Sequence, residues 1–283
     1  MTVAKVPAIV LLFLLAACSG GETPEATGSP STGPSPATSS APAVDPGTQP
    51  SIDGAFAVTA GGRQLRLVCW GTGEPTVLLE TGGTNIDEWT GSGIVYGLAS
   101  SARICTYDRA GTGVSDPAPN KRRDADDVVS EAHALLEAAH VNGPLVLVGR
   151  SFGGMIVTHY ADVMPHDVIG VVVLDTPAPS AEFTAKSEPG LVWDSPGNTE
   201  HLDVVHGFEN RFANHPPHFD VPLLLITPVP GEGSVKNESF WLQTSPHAKQ
   251  VRLFCGEEPT EGRCATKVAT FVEGLSSTRH RPT

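Results

Sequence analysis

The chemistry in this sequence concentrates in Gly149-Arg150-Ser151-Phe152-Gly153. The pentapeptide follows an apolar run, Leu145 to Val148, and precedes a helix-like stretch from Phe152 to Asp162. A serine on such a strand-turn-helix corner sits in a strained backbone conformation that lifts its Oγ above the chain. Small residues are needed on both sides, because a Cβ at position 149 or 153 would run into neighbouring backbone. A helix starting at Phe152 also aims that residue's N–H at any negative charge developing on a bound carbonyl oxygen. These residue types in this order point to nucleophilic acyl transfer, with Ser151 attacking.

The elements that must hold this corner can be read along the chain. Ala55 to Thr59 and Gln64 to Trp70 alternate around Gly61-Gly62 and predict an opening hairpin. Thr76 to Glu80 and Ile104 to Tyr107 predict short buried strands, running into Thr81-Gly82-Gly83 and Asp108-Arg109-Ala110-Gly111-Thr112-Gly113. Asp124 to His140 carries an apolar stripe (Val128, Val129, Ala132, Leu135, Leu136, Ala139) at helical spacing. Further strands are predicted at Val168 to Leu174, Val221 to Ile226 and Gln250 to Phe254, with helices around Glu238 to Thr244 and Lys267 to Leu275. This alternation predicts a mostly parallel sheet with helices on both faces. Thr176 to Asp220 breaks the rhythm with no strand signal, and a long insertion of this kind predicts a small helical cap, about residues 177–219.

With these motifs in order, the run from Thr76 to Leu275 resembles the α/β-hydrolase superfamily. Val77-Leu78-Leu79-Glu80-Thr81-Gly82-Gly83 is similar to the segment that carries a second oxyanion donor, and the resemblance assigns that role to the Gly83 N–H beside that of Phe152. Tyr107-Asp108-Arg109-Ala110-Gly111-Thr112-Gly113-Val114-Ser115 resembles the loop that follows the next strand. The resemblance implies an eight-stranded sheet and a hydrolase of small ester-like or amide-like substrates. It also sets the strands of Cys69 and Cys105 side by side, which supports a disulfide between them.

The resemblance is incomplete at the partners of Ser151. The acid of such a triad falls on Asp175, at the end of a strand, or on Glu232 after the next one. The usual histidine beyond the last strand is missing, and Glu257 and Glu258 stand there. A serine hydroxyl is a poor nucleophile without a base. Three readings stay open: one of His201, His206, His215 and His218 reaches Ser151; Glu257 or Glu258 replaces the base; or the chain is a catalytically impaired binding module. Arg150 reads as the partner of a buried acid beneath the corner or as a cation beside the nucleophile. Trp89, Trp193 and Trp241 read as packing residues. Asn198-Thr199-Glu200-His201-Leu202-Asp203 resembles a cap segment of exported hydrolases, without a role attached. No metal or organic cofactor is implied.

The ends speak to location. Lys5 precedes the apolar run Val6 to Ala17, which is shorter than the roughly 20 residues a membrane span needs. It closes on Leu15-Ala16-Ala17-Cys18, which resembles the lipobox of bacterial lipoproteins. That resemblance implies cleavage after residue 17, acylation of Cys18 and a protein anchored on the extracytoplasmic face of the cell membrane. Residues 18–50, rich in Gly, Ser, Thr, Pro and Ala, predict a disordered tether, leaving 51–278 for the folded domain. Cys69, Cys105, Cys255 and Cys264 remain as an even set fit for an oxidising compartment, and the short spacing of Cys255 and Cys264 favours a local loop closure. A net charge of −13 argues against nucleic acid as a partner and leaves a small molecule as the ligand. The sequence leaves the oligomeric state open.

Overall fold

A computed structural model describes residues 49–59, 61–83, 85–229, 235–255 and 262–279. Strands β1 (Ile52–Ala57), β2 (Gln64–Trp70), β3 (Thr76–Glu80), β4 (Arg103–Tyr107), β5 (Leu145–Arg150), β6 (Val168–Leu174), β7 (Leu223–Pro228) and β8 (Ala248–Leu253) form one sheet. Their order is β1-β2-β4-β3-β5-β6-β7-β8. β1 and β2 pair antiparallel, as do β2 and β4, and every later pair is parallel.

The parallel strands are buried on both faces, which is why they read as unbroken apolar runs. Leu78, Leu147, Val171, Val173 and Leu225 face one core. Helices α2 (Ala125–Ala138) and α3 (Phe152–Val163) cover it, as does Trp241 from α5 (Val235–Leu242). The alternate residues Val77, Leu79, Val146, Val148, Val172 and Leu174 face a second core under α1 (Gly93–Leu98) and α6 (Gly262–Arg279). α2 starts at Asp124, whose side chain accepts N–H bonds from Asp126 and Asp127, while the Asp127 carboxylate accepts the Asp124 N–H. Its predicted stripe is buried from Val128 to Leu136, with Ala139 at the C-cap only partly so; the larger side chains each contribute about 1.5–3 kcal/mol.

Boundaries moved where loop hydrogen bonds compete with the pattern. β1 ends at Ala57 because Val58 N–H bonds Arg63 O, while Gly62 N–H closes on Thr59 O, so the hairpin turn takes Val58 and Thr59. β7 starts at Leu223 and not Val221, after Pro222, whose carbonyl accepts the Val171 N–H. α1 escaped the sequence reading: it is one and a half turns long, contains Gly93 and Gly97, and is started by Ser92, whose hydroxyl accepts the Val95 N–H.

Two disulfides are present. Cys69 and Cys105 lie directly opposite each other in the β2–β4 pairing, and Cys255 joins Cys264. Between β6 and β7 the described chain has only short helical pieces: a 3-10 turn at Pro189–Leu191, a π-helical turn at Val205–Asn210 and α4 (Arg211–Asn214). No helix among the described residues is long and apolar enough to cross a membrane. Cys18 and the expected tether up to Thr48 lie outside the described residues, as do Glu232, Glu257 and Glu258.

Candidate active site

Ser151 stands between the end of β5 and the start of α3 with φ 52° and ψ −125°. Such a conformation at a non-glycine residue costs on the order of 1–3 kcal/mol and persists only when its surroundings fix it. The Ser151 N–H bonds Leu174 O at 3.1 Å, and its carbonyl accepts the Gly154 N–H at 3.0 Å. The flanking glycines are forced by contact. A Cβ on Gly149 would lie 2.2 Å from Gly153 O, and one on Gly153 would lie 2.3 Å from Glu80 O. Gly154 has a reason of its own, since a Cβ there would meet Thr176 Oγ1 at 2.1 Å.

The loop Thr81-Gly82-Gly83 leaves β3 and presses on this corner, with the Cβ position of Gly82 only 3.1 Å from Ser151 Cβ. Its orientation is set from two sides. Gly82 N–H donates to a Glu88 carboxylate oxygen at 2.8 Å. Arg109 donates through Nη1 to Thr81 O at 2.9 Å and through Nη2 to Gly82 O at 3.4 Å. A trans peptide points its C=O and N–H in opposite directions. With Gly82 O drawn toward Arg109, the Gly83 N–H is directed to the other side. Phe152 occupies the first position of α3, where an N–H has no partner within the helix.

Arg109 is itself buried among acids. It bonds Glu80 Oε1 at 2.8 Å and holds both oxygens of Glu200 at 2.6 and 3.0 Å. Burial pulls the Arg109 pKa down, but Glu200 and Glu80 more than offset it and hold the guanidinium well above its ordinary value. One side chain thus ties the end of β3, the loop after β4 and the segment after β6. Arg150, by contrast, faces Glu88 at 3.6 Å, so it has the acidic partner beside the corner that the sequence left open.

A cavity of about 370 Å³ opens above Ser151. Gly82, Gly83, Phe152 and Met155 line it from the sheet side; Leu191, Glu200, Leu202 and Glu209 line it from the segment after β6. No histidine among the described residues lines it. His201 Nδ1 lies 2.8 Å from Pro119 O, and its ring stands edge-on to Trp193. His206 Nδ1 lies 3.1 Å from the Asp203 carboxylate. His215 and His218 are exposed. His159 lies 2.6 Å from Asp126, and His247 3.2 Å from Asp220. The structure therefore does not bring any of the four cap histidines to Ser151. Trp89 and Trp241 are fully buried, Trp241 donating to Thr176 O at 3.0 Å.

Asp175 follows β6 with φ 49° and an exposed side chain, its N–H bonded to Ile226 O at 3.1 Å. Glu209 was not singled out from the sequence. It sits on the π-helical turn, and only the folded chain brings it to the cavity; short π-helical insertions are frequent at functional sites.

Sheet order, corner and covering helices together define the α/β-hydrolase fold. A family model described as "alpha/beta hydrolase fold" matches residues 75–199. A probable transporter, efuK of Hormonema carpetanum, is 33% identical over 153 residues, which make up 49% of this chain and 21% of that protein. The uncharacterized protein YqjL of Bacillus subtilis strain 168 is 38% identical over 106 residues, 37% of this chain and 41% of its own length. The chain thus spans less than half the length of these curated relatives. Among solved structures, a membrane phospholipase A described as a novel bacterial virulence factor superposes with a TM-score of 0.63 at 18% identity, over 81% of this chain and 88% of that one. At that identity the likeness speaks for the fold alone.

Proposed function

We propose that this chain is a serine hydrolase that transfers an acyl group from a small ester through Ser151. The observation that carries the reading is the left-handed φ at Ser151, a non-glycine residue facing a cavity flanked by Gly83 and Phe152. Ser151 Oγ attacks the carbonyl carbon, and the N–H groups of Phe152 and Gly83 hold the oxyanion. The serine proton goes to a carboxylate: Asp175 at the neighbouring strand end, or Glu257 or Glu258 from the loop after β8. As the bond to the leaving oxygen breaks, that oxygen takes up the proton that left Ser151 and departs as the alcohol. Water, giving a proton to the same base, then attacks the acyl carbon, and the proton returns to Ser151 Oγ as the carboxylic acid is released. An ordinary carboxylate titrates near about 4 and is a weak base. No imidazolium among the described lining residues stands ready to protonate an amide nitrogen. Both points favour esters with good leaving groups over amides. Labelling with a fluorophosphonate, comparing the wild type with Ser151→Ala, tests the reading; absence of Ser151-dependent labelling between pH 5 and pH 9 sinks it.

A second reading, a binding module that keeps the hydrolase fold, is favoured by the absence of histidine from the described cavity lining, and the same labelling decides between the two. We further propose that Cys18 carries acyl chains and tethers the domain to the extracytoplasmic face of the membrane. A Cys18→Ala variant should then leave the membrane fraction, and its retention there would overturn the anchor.

A further inference from the structure

We propose that the Ser151 cavity selects ligands that carry a protonated amine or similar compact cation on an apolar body, with Glu209 as the counter-ion. The inference rests on the reading of this cavity as the substrate site and adds the substrate class.

Two carboxylates line the cavity. Glu200 has a cation in contact, because both its oxygens are held by the Arg109 guanidinium, which it shares with Glu80. Glu209 does not. The residue is only 7% exposed, and the hydrogen bond it has is from the Ser180 N–H to Oε2 at 2.6 Å. Among the described residues it makes no ion pair. Burial pushes the carboxyl's pKa up, the Ser180 bond pulls it down, and the negative charge of Glu188 adds to the upward push. A buried carboxylate without a cation is unfavourable, and a cation brought by a ligand offsets that cost where water cannot.

Position and rigidity favour the same conclusion. The next residue, Asn210, donates through Nδ2 to Ser180 O at 3.0 Å and to Phe183 O at 3.1 Å. The segment that presents the Ser180 N–H is therefore pinned to the turn that carries Glu209, and the anion is preorganised. The remaining lining is largely apolar, including Phe152, Met155, Leu191, Leu202 and Val204. About 370 Å³ is at the small end of ligand cavities, enough for a compact body with one charged head. The net charge of −13 favours the approach of cations.

The test is binding, so that it does not depend on turnover. Benzylammonium and the neutral benzyl alcohol are titrated against the Ser151→Ala protein at pH 7.5 by calorimetry, and again with Glu209→Gln added, with Tm checked for each protein. The expected result is at least tenfold tighter binding of the ammonium, lost in the Glu209→Gln background, and falling with pH as Glu209 protonates. Equal binding of the two probes, or an ammonium preference that survives Glu209→Gln, overturns the proposal. In the wild type, phenyl 6-aminohexanoate should then exceed phenyl hexanoate in kcat/KM by a similar factor. If neither ester is hydrolysed, the acyl-transfer reading fails while the calorimetry still decides this one.

Discussion

Ser151 and Asp175 stand at matching places on adjacent parallel strands. Each follows the last paired residue of its strand, Arg150 and Leu174, and each has a left-handed φ, 52° and 49°. The Ser151 N–H bonds Leu174 O and the Asp175 N–H bonds Ile226 O, so successive strand ends form a staircase across β5, β6 and β7. Ser151 lines the cavity, and Asp175 follows the neighbouring strand at the same edge of the sheet.

If Asp175 serves the reaction of Ser151, Asp175→Asn should slow fluorophosphonate labelling by at least about tenfold while Tm barely moves. Asn tolerates a positive φ, and the side chain is exposed, so folding has little reason to respond. Unchanged labelling in a folded Asp175→Asn protein would remove the residue from the mechanism.

Arg109 should matter to stability as well as to the site. Arg109→Met leaves the Glu80 carboxylate, 1% exposed, without its cation, and breaking such a buried pair costs about 3–5 kcal/mol. It also releases Thr81 O and Gly82 O, so the Gly83 N–H loses its fixed direction. Urea denaturation should show the loss, and Glu80→Gln added to Arg109→Met should recover part of it. A single variant as stable as the wild type would contradict this account.

Acid should weaken the fold through His159. Burial between α2 and the segment of Phe212 lowers its pKa from about 6.5, with the Asp126 bond opposing the shift. The unfolded chain therefore binds this proton more readily than the folded one. The contribution is complete above pH 6.5 and declines as pH falls through the lower folded value. Urea midpoints for His159→Gln should vary less between pH 7.5 and pH 5 than those of the wild type; parallel slopes would show that His159 takes no part.

Much of the fold was legible because its signals are local. The bounds of β2, β3 and β6 match the sequence reading, since alternating or unbroken apolar patterns that run into Gly71, Thr81-Gly82-Gly83 and Asp175 leave little choice. The corner at Ser151 was legible for the same reason: Gly149 and Gly153 meet backbone within a few residues or on the next strand. The charged groups around it were not. Arg109 meets Glu200 across 91 positions, and the Ser180 N–H meets Glu209 across 29. Such pairs have no spacing rule and exist only after the segment following β6 has folded over the sheet. For the same reason the cap histidines were misplaced as candidates. His201 turns to Pro119 and Trp193, and nothing in its neighbourhood along the chain specifies that direction.

The Arg109 latch has a thermodynamic consequence. Glu200 belongs to the roof of the cavity, and swinging that roof away would break both bonds of Glu200 to a buried guanidinium, leaving Arg109 with Glu80 as its carboxylate partner. The roof is further stitched down where Arg123 donates to Glu200 O and its carbonyl accepts the Asp203 N–H. Among the described residues, the roof that a ligand meets on entering the cavity is thus already held in place. The heat-capacity change of binding should follow the ligand's own apolar surface and that of the lining, with no contribution from coupled folding.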